Sequence, residues 1–368
     1  MKKRLFALLL AAICSINLIG CGGGEEETTT AAPETTTAPE TTETPPVVTL
    51  AEVPEDIEVL PEGMMRSYLT GEIVSEEIGL RRPIMLQIDN EKAAMPQNGI
   101  TRAEIVYEVP IEANEVRLSM IIQDWGDIER IGPLRSARSY HPGIAAEFDA
   151  FFFHHGRSDL ALPYLDDERC DNMDGTEGSG YPATFKADDH VSYHTTFTTP
   201  ELTDSRIEKL GFRNTLAEDF EYKFKFATDS DPTVLTNGQT ANKVSLGYKQ
   251  NKPWFEYDET DGLYYRFAYG EAHIDQDNNE QVKVKNIIVQ YCAYNLEWDK
   301  NTKNIHTVDK GTGVFITEGK AVPITWEKTD YWENTHYYYE DGEEIVLNQG
   351  KTWVAIVLDN FTGPIVLE

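Results

Sequence analysis

The sequence predicts a mixed α+β fold, in which an N-terminal α/β domain precedes a β-dominated C-terminal domain. In the first half, short apolar runs alternate with segments of helical pattern, which is typical of mixed layer structures. In the second half, aromatic-rich runs are separated by turn residues at short intervals. A polar stretch at 226–245 divides the halves. We therefore expect domains at 60–225 and 240–368, the second being a small barrel or a twisted antiparallel sheet.

Residues 1–20 are predicted to be a lipoprotein signal peptide. Residues 2–4 are basic and residues 5–19 are apolar, which is short for a membrane span of about 20 residues. The following Leu-Ile-Gly-Cys, ending at Cys21, resembles the bacterial lipoprotein box, in which the cysteine is acylated, with palmitate for example, after cleavage. An ordinary secretory peptide is the alternative. We expect Cys21 to anchor an extracytoplasmic protein to the outer face of the cell membrane.

Residues 21–50 are predicted to be a disordered stalk. The segment consists mainly of Gly, Glu, Thr, Ala and Pro, which cannot form a hydrophobic core. We expect it to hold the folded body away from the membrane.

The charge balance of the chain limits the classes of partner that it can bind. The chain carries 63 acidic and 32 basic residues, for a formal net charge of −31. Such a surface repels nucleic acid at long range, so we expect no nucleic-acid partner.

Beyond the signal peptide, Cys170 and Cys292 could form a disulfide outside the cytoplasm or remain two free thiols. We expect a monomer.

Four strands are predicted in the first half, at 83–89, 103–109, 117–125 and 148–155, because each segment is a short apolar run rich in β-formers. Helical or partly helical segments are predicted from "PLRSARSYHPGIAAEF", "SDLALPYLDDE" and "TPELTDSRIEKLGF". In the last of these, Thr199 is a suitable N-cap and Pro200 suits the first helical position.

The second half contains a clear hairpin signal. Two aromatic-rich runs in "PWFEYDETDGLYYRFAYG" flank an Asp-Gly turn at 261–262, and another Asp-Gly follows at 341–342. Further strands are predicted in "VKNIIVQYCAY", "TGVFITEG", "AVPITWEK" and "KTWVAIVLD".

Several stretches resemble the YerB-like family of bacterial lipoproteins, including "RPIMLQIDN", "MPQNGITRAEIVYEVPIEANEVR", "IGPLRSARSYH" and "GTGVFITEGKAVPITWEK". They cover most of residues 80–360. This chain has Ala-Asn-Glu-Val at 113–116, where the family typically has a glycine pair and a threonine before its arginine. The resemblance implies an envelope lipoprotein with two domains of unknown function, and it implies no catalytic residues.

Arginine and histidine are concentrated in the first domain. Between residues 93 and 185 there is no lysine, yet 7 of the 14 arginines lie there, and 5 of the 8 histidines lie between 141 and 194. Arginine is preferred over lysine for bidentate contacts with carboxylates and phosphates and for partly buried ion pairs. We therefore expect this region to hold an acidic group.

The acidic group could be internal. Pairs of Arg135 with Glu108, or of Arg138 with Glu112, would fix the predicted strands to the arginine-rich segment. Breaking a buried pair of this kind costs about 3–5 kcal/mol.

The acidic group could instead be a bound anion. Gly132-Pro133 suits a helix start, which would place arginines and a serine near free backbone N–H groups in the first turns. The candidate anion-binding residues are Arg135, Ser136, Arg138, His141, Arg117 and Arg157.

A second cluster is "FFFHHGRSD" at 151–159. A predicted strand ends at His154 and His155, and Ser158 or Asp159 could cap a following helix. Ligands bind at the carboxyl ends of strands in open α/β sheets, although these residues could equally serve only as a cap and a solvent-facing histidine. The candidate acid/base residues are His154, His155, His194, Asp159, Glu108 and Glu112.

No metal or other cofactor is expected. His190 and His194 could bind zinc if they lay one helical turn apart, but the neighbouring Ser, Tyr and Thr residues argue against a helix. The segment 272–280 resembles a calcium loop but lacks the required glycine and the final acid, so we interpret it as a turn.

Three functions remain open. The first is a lipoprotein that binds an anionic envelope ligand, through its carboxylate or phosphate, or that scaffolds envelope components. The alternative is a hydrolase or transferase acting on envelope glycan or phosphorylated polymer, with a histidine as acid/base and Arg135 and Arg138 holding the anion. The third is a lipoprotein that assists another membrane protein. The sequence contains no nucleotide-binding loop or catalytic-serine signature, so we favour a non-enzymatic role.

Overall fold

The computed structural model describes residues 60–176, 182–297, 299–358 and 362–368. The predicted signal peptide and the whole predicted stalk, including Cys21, lie outside these residues. The strands of the first part of the body are β1 Met64–Arg66, β2 Ile73–Ser75, β3 Ile84–Ile88, β4 Ile105–Pro110, β5 Val116–Ile122, β6 Phe151–His154, β7 Asn172–Asp174, β8 Phe185–Lys186, β9 Thr196–Phe197 and β10 Lys225–Phe226.

The second part contains fifteen further described strands. They are β11 Gln239–Thr240, β12 Lys243–Ser245, β13 Trp254–Asp258, β14 Leu263–Ala268, β15 Glu271–Ala272, β16 Lys283–Val284, β17 Asn286–Cys292, β18 Tyr294–Leu296, β19 Lys303–Ile305, β20 Lys310–Thr317, β21 Lys320–Glu327, β22 His336–Tyr338, β23 Val346–Leu347, β24 Thr352–Leu358 and β25 Val366–Leu367.

Helices are few and short in the described residues. They are α1 Glu76–Gly79, α2 His141–Ala146, α3 Leu162–Leu165 and α4 Pro200–Leu210, with 3₁₀ turns at Lys92–Ala94, Ile100–Arg102 and Asp159–Ala161. In α4 the Thr199 hydroxyl accepts a hydrogen bond from the Leu202 N–H at 3.3 Å, so the predicted N-cap is confirmed. None of the described helices has both the length and the apolar character needed to cross a membrane.

One 11-stranded sheet forms the centre of the body, in the order β11-β21-β20-β17-β24-β4-β5-β3-β6-β7, with β22 added beside β21. Its strands come from both halves of the chain, and β24 joins them by pairing in parallel with β4 and β17. The central strands are buried on both faces, which explains why their sequences are continuously apolar.

The second sheet is antiparallel, in the order β15-β14-β13-β12-β25, with β16 paired to β14. Its β13–β14 hairpin confirms the predicted Asp-Gly turn, since Gly262 has a φ of +68° that suits glycine. The predicted mixed, β-rich fold is thus confirmed. The division into domains at 60–225 and 240–368 stays a prediction.

The predicted helix start at Gly132-Pro133 is wrong. Residues 131–138 are extended, and α2 begins only at His141. The backbone hydrogen bonds of this segment go to distant strands and loops: the Leu134 N–H donates to the Thr196 carbonyl at 2.7 Å, and the Ala137 N–H donates to the Gly156 carbonyl at 2.9 Å. These tertiary partners replace the helical hydrogen bonds.

No disulfide joins Cys170, which is half-buried, to Cys292, which is buried. Of the two possibilities that the sequence left open, the structure therefore has two separate thiols.

Candidate functional site

Several of the sequence-predicted residues meet at one edge of the large sheet. Strands β3, β6 and β7 run parallel, so their carboxyl ends lie at the same edge. Asp89 directly follows β3, His154 ends β6 and precedes His155, and Asp174 ends β7. This is where ligands bind in many open α/β sheets.

The arginine-rich segment 131–138 crosses this edge. The Arg135 N–H donates to the Gln87 carbonyl at 2.8 Å, and the His155 N–H donates to the Arg135 carbonyl at 3.0 Å. The Ser136 hydroxyl donates to the His155 carbonyl at 3.2 Å. The segment thereby places Arg135 and Ser136 between the ends of β3 and β6.

Arg135 is held by two acids that follow β3. Its Nε lies 2.9 Å from Oδ2 of the buried Asp89, and one terminal nitrogen lies 3.4 Å from Glu91 Oε1. The same Asp89 oxygen lies 2.7 Å from Nδ1 of the buried His194. The Arg135 guanidinium also stacks on Tyr193, 4.5 Å from the ring centre. Arg135 is therefore paired with Asp89 and Glu91 instead of Glu108.

Glu108 has partners in the second half of the chain. Its carboxylate is fully buried and lies 2.9 Å from Arg266. It also accepts hydrogen bonds from Asn251 at 2.7 Å and from the Trp353 indole at 3.1 Å. The predicted Arg135–Glu108 pair does not form, and Glu108 has no route to solvent as an acid or base.

Arg138 forms the other predicted pair. Its Nε donates to Glu112 Oε1 at 2.8 Å and its Nη2 donates to Oε2 at 2.5 Å, so the contact is bidentate. Burial opposes the charged form of Glu112, but the hydrogen bonds and positive charge of Arg138 outweigh burial and lower its pKa. We call the pairs of Arg135 with Asp89 and Glu91, and of Arg138 with Glu112, the ionic clasp.

Arg117 lies beneath the clasp. It is 5% exposed and donates to the Ser136 carbonyl. Among the described residues no carboxylate forms an ion pair with it. Burial, together with the positive charges of Arg138 and Arg135, lowers the pKa of Arg117 to about 10. Arg117 supports the backbone of the arginine-rich segment and does not face solvent.

His141 and His154 are also fully buried. The His141 Nδ1 accepts from the Arg138 N–H at 3.0 Å, while His154 contacts the Gly156 carbonyl at 2.8 Å and the Asn172 side chain at 2.7 Å. Burial lowers the pKa of both histidines, so they are neutral structural groups. Neither can reach an external ligand in this structure.

A different set of groups faces solvent at the same edge. His155 and Ser136 are half-buried, and Lys186 is exposed. The Arg157 side chain is 38% exposed and lies 3.7 Å from Asp174, whose Oδ1 accepts from the Gly156 and Thr176 N–H groups. We call Ser136, His155, Arg157 and Lys186 the edge patch.

Sequence reasoning missed Lys186, because this residue lies just outside the lysine-free zone. Strand β8 pairs with β9, and Lys186 donates to the hydroxyl of Thr196, the residue whose carbonyl accepts from the Leu134 N–H. Burial, and then the positive charge of Lys186, lower the pKa of His155. The "TTF" strand signal at 195–197 was the available clue.

Asp159 does not join either group. It is exposed and is the first residue of a 3₁₀ turn, and the preceding Ser158 makes no side-chain capping hydrogen bond. His190 contacts Asp189 at 3.0 Å in a non-helical loop. The predicted turn at 272–280 is bound internally, because Asp275 accepts from the N–H groups of Gly99 at 3.0 Å and Thr101 at 2.8 Å.

Asp89, Glu91 and His194 could together hold a cation, since one ligand atom from each lies within 4.8 Å of the others. Carboxylate and imidazole groups are ordinary ligands of zinc. In this structure, however, Arg135 and His194 both occupy the same Asp89 oxygen. A metal ion would have to displace the arginine, so the arrangement acts as an ion-pair cluster.

Comparison with known proteins agrees with this architecture. Residues 69–213 match the family described as "Protein of unknown function (DUF3048) N-terminal domain", and residues 244–354 match the corresponding C-terminal domain. The chain is 26% identical over 302 residues to "Putative lipoprotein YerB" of Bacillus subtilis (strain 168), covering 80% of this chain and 87% of the relative.

The fold is shared as well. The crystal structure of the YerB protein from Bacillus subtilis superimposes with a TM-score of 0.72 at 25% sequence identity. The superposition covers 82% of this chain and 99% of the crystallised one. With both family domains matched in order, this chain belongs to the DUF3048 family and is YerB-like.

Proposed function

We propose that this lipoprotein is anchored by Cys21 to the outer face of the cell membrane and binds an anionic group of an envelope ligand at the edge patch. The Leu-Ile-Gly-Cys box and the Thr/Glu/Pro-rich stalk support the anchoring. The relationship to YerB supports the assignment as a lipoprotein.

The observation that carries the binding proposal is the unequal pairing of the basic residues. Arg135 and Arg138 are already ion-paired with acids of the ionic clasp. Arg157 is more exposed and only 3.7 Å from its acid, and Lys186 makes no ion pair among the described residues. An anion could therefore engage Arg157 in a bidentate contact and Lys186 as a point charge, without breaking the clasp.

The chemistry of the patch selects phosphate or carboxylate. The Ser136 hydroxyl, which donates to the His155 carbonyl, and the His155 ring, whose pKa the charge of Lys186 helps to lower, offer further polar contacts. Because the whole chain carries a net charge of −31, an anionic polymer meets long-range repulsion and is bound only at short range. The ionic clasp, in this proposal, positions the segment that carries Ser136.

A titration of the processed lipoprotein in detergent tests this proposal. Poly(glycerol phosphate) and poly-L-glutamate serve as phosphate and carboxylate probes. We expect Arg157→Ala to weaken binding of at least one probe about tenfold or more, which corresponds to about 1.4 kcal/mol. The matched control is Arg169→Ala, since Arg169 is an exposed arginine paired with Asp167 away from the patch. Equal losses in both variants would contradict the proposal.

The catalytic alternative rests on Asp89 and His194. Their 2.7 Å contact at Nδ1 orients the imidazole as a carboxylate orients a general base. His194 is buried, however, and its Nε2 faces Glu91 at 4.0 Å. If the protein is a hydrolase, it releases glycerol phosphate from poly(glycerol phosphate), and His194→Gln abolishes the release while binding persists. If no glycerol phosphate is released, the result favours the binding function over the hydrolase.

A further inference from the structure

A separate cavity of about 410 Å³ lies among the loop between β1 and β2, the segment before β4, the segment after β5 and the start of β24. Its volume falls within the range of about 300–1,000 Å³ that is typical of small-molecule sites. No residue of the edge patch lines it. The polar residues that line it are Ser67, Thr70, Glu72, Ser75, Arg102, Glu104, Gln123, Asp124 and Lys351.

Glu104 is the best-fixed acid of the cavity. Its Oε2 accepts from the Gln123 N–H at 3.0 Å, and its own carbonyl accepts from the Thr352 N–H at 3.0 Å. Burial raises the pKa of Glu104 to about 7, against the opposing effect of Lys351. Near neutral pH this carboxyl group can therefore accept a hydrogen bond or donate one.

Lys351 faces the same cavity. Its ammonium group donates to the Thr101 carbonyl, and burial lowers its pKa while Glu104 and Glu72 favour its charged form. In the described part of the chain, neither acid forms an ion pair with Lys351. An amine and a carboxyl group, both of half-buried residues, thus share one cavity without neutralising each other by direct contact. The amine retains donors for another partner.

Two buried hydroxyl groups complete the set. The Ser67 Oγ accepts from the Leu69 N–H at 3.2 Å, and the Thr70 Oγ1 accepts from the Glu72 N–H at 3.3 Å. Each hydroxyl keeps its own proton to donate. The cavity therefore offers both donors and acceptors at close range.

The charges of the lining do not favour a strongly charged ligand. Acids and bases are mixed, and Arg102 is already 2.5 Å from Asp127 and donates to the Asp124 carbonyl at 3.2 Å. Val74 and Ile78 supply an apolar wall. A ligand that matches this lining is neutral, has several groups that both donate and accept, and has some apolar surface.

We propose that this cavity binds a neutral, hydroxyl-rich ligand, namely one sugar residue of a glycan. A sugar hydroxyl accepts from the Lys351 ammonium and donates to Glu104, so it joins the two groups that the protein leaves apart. Other hydroxyls accept from Ser67 and Thr70, and the C–H face of the ring packs on Val74 and Ile78.

Saturation-transfer NMR on the processed lipoprotein in detergent tests this inference. The probes are N-acetylglucosamine and glucose, with alanyl-alanine and glycerol 3-phosphate as zwitterionic and anionic comparisons. We expect transfer to the sugar ring protons, at least a fivefold loss in Lys351→Met, and no loss in Lys310→Met, which changes an exposed lysine. If Lys351→Met does not fold, Ser67→Ala is expected to weaken the same signals.

Several results would overturn the inference. They are no transfer to either sugar at 20-fold excess or more, equal transfer in Lys351→Met, or stronger transfer to alanyl-alanine than to the sugars. The edge patch is independent of this cavity, so Arg157→Ala is expected to leave the sugar signals unchanged. A loss of sugar signals in Arg157→Ala would place the sugar at the patch and contradict the inference.

Discussion

Glu108 and Arg266 form a fully buried ion pair at 2.9 Å, although 158 residues separate them in the chain. Glu108 lies on β4 of the large sheet and Arg266 on β14 of the second sheet. Arg266 also stacks 4.5 Å from the centre of the Trp353 ring, on β24. The pair therefore ties both sheets and both halves of the chain together.

Removing either partner of this pair leaves a buried charge uncompensated. We expect Glu108→Gln or Arg266→Met to lower the free energy of unfolding by about 3–5 kcal/mol, as measured by urea denaturation. The double variant Glu108→Gln/Arg266→Met is expected to lose less than the sum of the single losses. Additive losses would show that the two charges are not coupled.

A second buried cluster makes stability depend on pH. Lys223 and Lys328 both contact Glu147, which also accepts from the Thr335 hydroxyl at 2.8 Å. One carboxylate cannot neutralise two ammonium groups. Burial lowers the pKa of Lys328 to about 7, and burial and the nearby Lys328 lower that of Lys223 well below its usual value.

The sign of the pH dependence follows from these pKa values. Between about pH 7 and pH 10 the unfolded chain binds more protons at these lysines than the folded chain does, so folding stability rises with pH. We expect the melting temperature to increase from pH 7 to pH 9 by a few degrees. In Lys223→Met this increase is expected to shrink, and an unchanged increase would contradict the assignment.

Glu104 is expected to act in the opposite direction. Its folded pKa is raised to about 7, so its contribution to stability is present below pH 4.5 and is lost as the pH rises through 7. Glu104→Gln is therefore expected to be more stable than the wild type at pH 8, by about 1–3 kcal/mol, with a smaller gain at pH 5. The exposed Glu343→Gln serves as the control, and an equal gain there would remove Glu104 as the cause.

The parts of the fold that could be predicted from the sequence are those set by local patterns. The buried strands β3 to β6 were predictable from their short apolar runs. The start of α4 was predictable from Thr199 and Pro200, and the β13–β14 hairpin was predictable from its Asp-Gly turn. The extended segment 131–138 could not be predicted, because its hydrogen-bond partners lie on other elements.

The candidate site was predictable in position but only partly in pairing. The edge itself follows from histidines at the end of a predicted strand, and the Arg138–Glu112 pair was anticipated. The pairing of Arg135 with Asp89 and that of Glu108 with Arg266 were not anticipated. Which acid lies beside which arginine depends on the order of the strands in the sheet. Residue type alone also could not separate the buried His154 from the half-buried His155.

One comparison separates the ionic clasp from the edge patch most directly: the affinity for poly(glycerol phosphate) and the melting temperature of two variants. Arg157→Ala/Lys186→Ala is expected to lose binding at an unchanged melting temperature. Arg138→Ala is expected to lower the melting temperature, because Glu112 loses its bidentate partner, while the folded fraction still binds. Full binding by the double variant, or loss of binding in a stable Arg138→Ala protein, would contradict this division of roles.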